Sequence, residues 1–489
     1  MENSLILQNK KEELGKIVKW RVPLKLAGNI FVFGRPGGGK SCKLLTIAQG
    51  LHSHGWKVWD IFGGKRDEGP FWCFPNDDYK LWNDIEKETF RVKGGPKQYK
   101  VNLLYPMFSR KLPKKLPKNS PNVKPKVFTI PFKELQDNLD DLIPLVTGPL
   151  SKTSEILWDK ILESTDRNSN GQDLKTLFET DFKKKKEDKI YQLFIKPLVQ
   201  NNLLSSMKGE LNLDLISEAE DKETISVLCL DYVPERYRFL IMAYIMKKLF
   251  YLVKNNKIHK KNFEILRETS MFMKVVDTKK DKAEIVQIFR NIVTDIARYC
   301  RSGTYLGMDS QDSAEVKGMI EGSDDLLLLC EMPSSASREV TCTPLKKDRR
   351  MNDKQIIYIG WKIKIHEVCI VERGKRARIL KRINPPRCRY WKSQYGDFVS
   401  LWKELEDKWV NTKDYIEIIE KEYNDREDVL ITKKVKYVKS ILPKKEKKKL
   451  EVEEKQQEDN LLKQRKQIYE DKDNKIGEIY DGSIIADFG

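Results

Sequence analysis

Histidine is scarce in this chain of 489 residues: there are four, His52 and His54 near each other and His259 and His366 far along the chain. The eight cysteines never form a Cys-x-x-Cys pair. A zinc site needs such ligands clustered, so none is expected. Cys229, Cys330 and Cys369 lie inside apolar runs, the pattern of buried free thiols in a reducing compartment. Long hydrophobic runs are missing too. None approaches the ~20 residues that cross a bilayer, and the longest, over 239–253, is broken by Lys247 and Lys248. The first residues, MENSLILQNKKEELGK, are charged and lack the apolar core of a signal peptide. A soluble, cytoplasmic protein is expected, with a membrane-associated partner left open. No internal repeat is present.

Negative charge is also in short supply. Lys and Arg number 92 against 73 Asp and Glu, a formal charge of +19. That excess points to a polyanionic partner, nucleic acid or an anionic membrane face. Charged residues make up 34% of the chain and hydrophobic ones 39%, so long exposed helices or loops should surround a compact centre. At roughly 100–200 residues per domain, two to four units are expected.

What is present is an alternation of apolar strands and amphipathic helices. Residues 29–33 (Asn-Ile-Phe-Val-Phe) read as a buried strand, 40–54 as a helix closed by Gly55, and 57–62 as a second strand. Residues 64–220 read as an insertion lying mostly outside the core. It has strand-like pieces near 101–105 and 126–132, an exposed Pro/Lys loop between them, and polar helices over 133–220. The core resumes with a strand at 225–230, a helix at 234–254, a strand at 263–268, a helix at 281–301 and strands at 304–309 and 325–330. This order predicts an α/β core with a largely parallel sheet. Residues 355–382 read as a small β-meander, and 398–475 as a charged helical tail, too polar from Lys444 onwards to bury a core. The domain reading is therefore 1–63 and 221–390 for the core, 64–220 for the insertion, and 391–489 for the partly disordered tail.

Gly34-Arg35-Pro36-Gly37-Gly38-Gly39-Lys40-Ser41 fits the Walker A pattern GxxxxGK[ST]. Phosphates need inward-pointing backbone N–H groups and a nearby cation. The glycines let the backbone turn and approach, Lys40 supplies the charge, and Ser41 can ligate Mg²⁺. The helix that begins here adds its positive end, with Cys42 in its first turn. The nucleotide expected is ATP with Mg²⁺.

A P-loop enzyme also needs an acidic strand end. Glu268 stands where a carboxylate activates water, but Arg267 stands where an Asp usually accompanies the metal. On the strand beside it, Gln311 suits a water-orienting role. Asp309, two residues earlier, faces the same side if the strand is regular. Asp309 either supplies the carboxylate that Arg267 displaced, beside Ser41 at the metal, or pairs with Arg267. Arg298 and Arg301 close the preceding helix and suit either an arginine finger in trans or ordinary helix-end charge, with Arg301 the stronger position. The basic runs Arg110–Lys118, Lys183–Lys186 and Lys444–Lys449 suit DNA phosphates or plain solvation.

In order, these parts run Walker A, strand, insertion, strand, helix, acidic strand end, helix with terminal Arg, and a strand ending in Ser310-Gln311. They resemble the HerA/FtsK superfamily of DNA-pumping ATPases. Asp60, Arg301-Ser302-Gly303 and Ile383-Asn384-Pro385-Pro386-Arg387 match positions common in that group. The resemblance covers 25–63 and 222–390 and implies a RecA-like fold, a ring that is usually hexameric, and translocation or packaging of double-stranded DNA. The large insertion points to the viral and conjugative branches. Two other readings stand beside the motor: a hydrolysis-impaired, nucleotide-gated scaffold that recruits DNA or protein, and a different P-loop enzyme such as a kinase or GTPase. The chain has no NKxD motif in a suitable place for the last.

Overall fold

The computed structural model describes residues 28–61, 72–73, 97–131, 142–148, 192–193, 196–205, 211, 213–267, 269, 280–299, 303–311, 324–332, 335–361, 363, 367–380 and 409–417. Its strands are β1 (Asn29–Phe33), β2 (Lys57–Asp60), β3 (Lys100–Pro106), β4 (Lys115–Pro117), β5 (Val123–Phe128), β6 (Ile130–Pro131), β7 (Leu204–Ser205), β8 (Thr224–Leu228), β9 (Asn262–Leu266), β10 (Thr304–Ser310), β11 (Asp324–Leu329), β12 (Val368–Glu372), β13 (Arg378–Leu380) and β14 (Trp409–Asn411). The helices are α1 (Lys40–His52), α2 (Pro144–Thr147), α3 (Lys196–Gln200), α4 (Leu215–Glu220), α5 (Glu235–Lys254), α6 (Lys280–Arg298), α7 (Ser335–Lys347) and α8 (Asp353–Trp361). Among the described residues, no helix is long and apolar enough to cross a membrane.

Ten strands form one sheet in the order β13-β12-β11-β1-β10-β9-β2-β8-β3-β5. From β11 to β5 every neighbouring pair is parallel; β12 and β13 add antiparallel strands at one edge. The parallel α/β core read from the sequence is therefore present. Parallel strands are covered on both faces, which is why β1 is apolar from Ile30 to Phe33 and all five of its residues are buried. Phe31 and Phe33 join the cluster with α5 and α6, while Ile30 and Val32 join the cluster with Leu44, Leu45, Ile47 and Leu51 of α1. Buried Asn29 ties the layers together. Its amide donates to the Ala297 carbonyl at 2.8 Å, and its oxygen accepts from Leu306 N at 2.9 Å.

Three parts differ from the sequence reading. First, described parts of 64–220 belong to the core: β3 and β5 extend the main sheet beyond β8, and Leu142, Ile143, Leu145, Val146 and Leu198 are buried in the α5–α6 cluster. Lys124 and Pro125 hid β5. As the sheet's edge strand it tolerates both a proline and a solvated lysine. Second, the Pro/Lys stretch is not a free loop. It contains β4, which pairs with β14, and Leu116 is buried. Residues 409–417 thus pack with the first compact unit, which runs from Met1 to Glu417. The second unit, Ile418–Gly489, lies outside the described residues, as do the basic runs at 183–186 and 444–449. Third, the start of 355–382 is helical. Asn352 and Gln355 make a reciprocal capping box (Gln355 N to Asn352 Oδ1 2.9 Å, Asn352 N to Gln355 Oε1 3.0 Å) that starts α8.

Candidate nucleotide site

The loop from Gly34 to Gly39 joins β1 to α1 at the carboxyl end of the parallel strands, the usual place for a ligand in such sheets. Gly34 is dictated by crowding: a Cβ there would lie 2.5 Å from the Cβ of Cys330. The neighbouring segment holds the loop through Arg35, whose N–H donates to the Glu331 carbonyl at 2.7 Å and whose Nε lies 2.7 Å from Glu331 Oε2. Gly39 caps α1 at φ 73°, a left-handed conformation natural only to glycine, and it brings no side chain to compete for the first-turn amides. Those amides and the helix dipole make the loop mouth an anion site.

Two lysines brace the loop. Lys40 Nζ donates to the Arg35 carbonyl at 3.0 Å, across the mouth. Buried Lys43 donates to the Gly38 carbonyl at 2.8 Å. Because loop carbonyls turn away when the amides point inward, Lys43 supports the cradle from behind. Sequence reasoning passed over Lys43; a lysine on an otherwise buried helix face was the available signal. Cys42 accepts a bond from Thr46 Oγ1 through its carbonyl at 2.8 Å.

Asp309 lies in β10, which pairs directly with β1. Its carboxylate is buried, and Oδ2 accepts a 2.8 Å bond from Ser41 Oγ. The Asp309 carboxylate thus touches the P-loop serine. Arg267 follows the Leu266–Met308 pair of β9 and β10, level with Asp309 and also buried. Glu268 lies outside the described residues, but Thr269 just beyond it is anchored. Its N–H and its hydroxyl both donate to the Asp309 carbonyl, at 2.9 and 2.7 Å. Asp309 thus holds the P-loop serine through its side chain and the acidic segment through its backbone. Gln311 follows directly on β10 and is exposed.

Asp60, at the same end of β2, accepts 2.8 Å from the indole of Trp72, a fully buried ring. Arg298 ends α6, exposed and 3.8 Å from Asp295, while Arg301 and 383–387 lie outside the described residues. The end of α6 leads into the opposite end of β10 from Ser310. Seven residues at ~3.3 Å each put ~20 Å between that edge and the loop, too far for an arginine there to reach this chain's own nucleotide.

The site offers a hydroxyl and a carboxylate oxygen side by side, hard donors that suit Mg²⁺. Among the described residues no group of three or more His, Cys, Asp or Glu could hold a metal by itself. The donors fit an ion that takes its remaining ligands from phosphates and water, as Mg²⁺ commonly does.

Glycine loop, helix N-terminus and strand order together define a P-loop nucleotide-binding fold in which one strand, β10, separates the P-loop strand from β9. No protein-family description and no curated protein matches the chain. Among solved structures it is similar to VirB4 of Thermoanaerobacter pseudethanolicus, at 13% identity and a TM-score of 0.47, over 79% of this chain and 97% of that one. It is also similar to the bacterial conjugative coupling protein TrwBdeltaN70, at 10% identity and a TM-score of 0.40, over 74% and 88%. A third is the genome packaging NTPase B204 from Sulfolobus turreted icosahedral virus 2 in complex with AMPPCP, at 12% identity and a TM-score of 0.23, over 34% and 72%. These likenesses are remote; fold and site stand on the chain's own strand order and side chains.

Proposed function

We propose that this chain is an ATPase that moves double-stranded DNA, acting as a ring of HerA/FtsK type with six subunits. The observation that carries the ATPase reading is the bond from Ser41 to Asp309, which restores a carboxylate beside the P-loop hydroxyl although Arg267 occupies the usual place. The +19 charge supports the DNA partner. Lys40 and the first-turn amides of α1 would hold the β- and γ-phosphates. Ser41 and Asp309 would hold Mg²⁺, which when bound neutralises charge on the phosphate oxygens. Glu268 would accept the proton of the attacking water while Gln311 orients it. Arg301, or Arg298, would serve a neighbouring subunit's γ-phosphate in trans. The expected source is a virus or mobile element and the expected location the cytoplasm.

The test is ATP hydrolysis at low salt, with and without long double-stranded DNA, for the wild type and Glu268→Gln. Stimulation by DNA together with an inactive variant supports the motor. Arg267 favours a second reading, a nucleotide-gated scaffold. ATP binding without hydrolysis in either protein, with assembly lost in Lys40→Ala, would select it.

A further inference from the structure

The edge of the sheet opposite the nucleotide loop carries a surface that the ATPase reading leaves unused. From Arg236 to Lys261 the chain has eight Lys and Arg and no Asp or Glu. The last part of this stretch is locked in place. Helix α5 ends in a Schellman motif: Asn256 takes φ 55°, Lys257 N donates to the Leu252 carbonyl at 2.8 Å, and Asn256 N donates to that of Val253 at 3.0 Å. Beyond it, Asn262 Nδ2 donates to the His259 carbonyl at 2.8 Å, while Asn262 Oδ1 accepts from the Trp59 indole at 3.1 Å. Lys260 packs against Gly303, where a Cβ would lie 2.7 Å from that of Lys260. Lys254, Lys257, Lys260 and Lys261 are all exposed.

Large aromatic side chains accompany these lysines. Tyr251 is 58% exposed and Tyr299, at the end of α6, 64% exposed. The Tyr299 ring lies 6.2 Å from that of Phe250, one residue from Tyr251, so it is supported while remaining open to solvent. Two carboxylates near this edge among the described residues have partners. Glu220 accepts from His259 N at 2.9 Å, and Asp295 lies 3.8 Å from Arg298. The surface therefore presents cations on a fixed turn beside open aromatic rings.

We propose that this edge binds a single-stranded nucleic acid. Lys254, Lys257, Lys260 and Lys261 meet its phosphates, and Tyr299 and Tyr251 stack on its bases. Phosphate contacts account for the lysines, and stacking on unpaired bases accounts for the rings, which a duplex, with its bases paired inside, would leave idle. The proposal goes beyond the ATPase reading, since it needs neither nucleotide nor turnover.

Fluorescence anisotropy of a labelled oligothymidine on the full chain, at low salt and without ATP, tests it. Tyr299→Ala should weaken binding about tenfold while Tyr299→Phe retains it. Lys257→Glu combined with Lys260→Glu should weaken it further and flatten its salt dependence. Lys40→Ala should bind as the wild type does. A labelled duplex should be insensitive to Tyr299→Ala. Circular dichroism of each variant establishes that it is folded. Oligothymidine binding unchanged by both the tyrosine and the lysine substitutions would overturn the proposal, even if duplex DNA still stimulated ATP hydrolysis. A shift in oligomeric state with Tyr299→Ala, with oligothymidine binding intact, would assign the face to a second copy of the chain and overturn it equally.

Discussion

Ser41 and Asp309 are 268 positions apart in the chain, yet the serine hydroxyl donates to the aspartate carboxylate at 2.8 Å. Strand order makes this possible: β10 lies beside β1, and the pairing of Val32 with Asp309 brings the carboxylate to the root of the glycine loop. Ser41→Ala removes the hydroxyl and leaves Asp309 buried without that donor. A loss of Mg²⁺-dependent ATP affinity of ~10–100-fold is expected, the usual cost of removing such a supporting contact. Titration with a fluorescent ATP analogue, with Mg²⁺ and with EDTA, reads it; equal affinity in the two proteins contradicts it.

Thr269 ties the segment that carries Glu268 to the Asp309 carbonyl through two donors. Thr269→Val keeps the shape and the amide bond but loses the hydroxyl. Stability should fall by about 1 kcal/mol. Turnover should fall while the Kd for ATP is kept, and Thr269→Ser should restore it. A purely structural role would leave turnover per folded molecule unchanged.

Glu264 is fully buried in β9, and neither of its oxygens has a hydrogen-bond partner among the described residues. Desolvation raises its carboxyl well above the ordinary 4.5, so the fold favours the protonated form. The unfolded chain releases that proton above about pH 4.5 while the fold retains it. Stability therefore falls as pH rises, by about 1.4 kcal/mol per unit for one proton. Urea melts of Glu264→Gln should show a flatter dependence above pH 4.5 and a more stable protein at pH 7. Parallel curves for wild type and variant would contradict this.

Glu218 behaves in the opposite way. Burial opposes its charge, but Lys57, Lys126 and the Ser226 hydroxyl outweigh burial and bring the carboxyl down to about 2. Lys57 lies 3.6 Å away with no exposed side-chain surface. Burial lowers its ammonium to about 8, so it is still mostly charged at neutral pH. The Glu218 contribution is present above pH 4.5 and is lost as pH falls towards 2, in all about 3 kcal/mol. Lys57→Met should destabilise the protein by about 1–3 kcal/mol, because Glu218 loses its buried cation and keeps only half-exposed Lys126 as a charged partner. Thermal melts at pH 7 that differ by under 1 kcal/mol would contradict it.

Local signals made the nucleotide site legible in the sequence. The apolar run of β1, the glycines, Lys40 and the periodic helix α1 each follow from residues close in the chain. The core strands from β8 to β11 were found to within one or two residues because buried parallel strands are largely apolar. The role of Asp309 was half legible: alternation put it on the face of Gln311, but the contact with Ser41 depends on which strands are neighbours. β3 and β5 were read as strand-like yet placed outside the core, since nothing local in Lys124 and Pro125 reveals that β5 closes an edge. The helix α8 was missed although Asn352 and Gln355 carry its start signal, because the apolar run Ile356-Ile357-Tyr358-Ile359 also fits a strand.

The replacement of the usual acidic partner by Asp309 is tested most directly by ATP turnover and ATP affinity measured together for the wild type and Asp309→Asn. A measurable wild-type rate is expected, with a loss of about 100-fold or more in Asp309→Asn, the cost of removing one charge-stabilising group from such a site. Unchanged turnover in Asp309→Asn would contradict it: the contact with Ser41 would then be structural, and the carboxylate that serves the nucleotide would have to come from elsewhere.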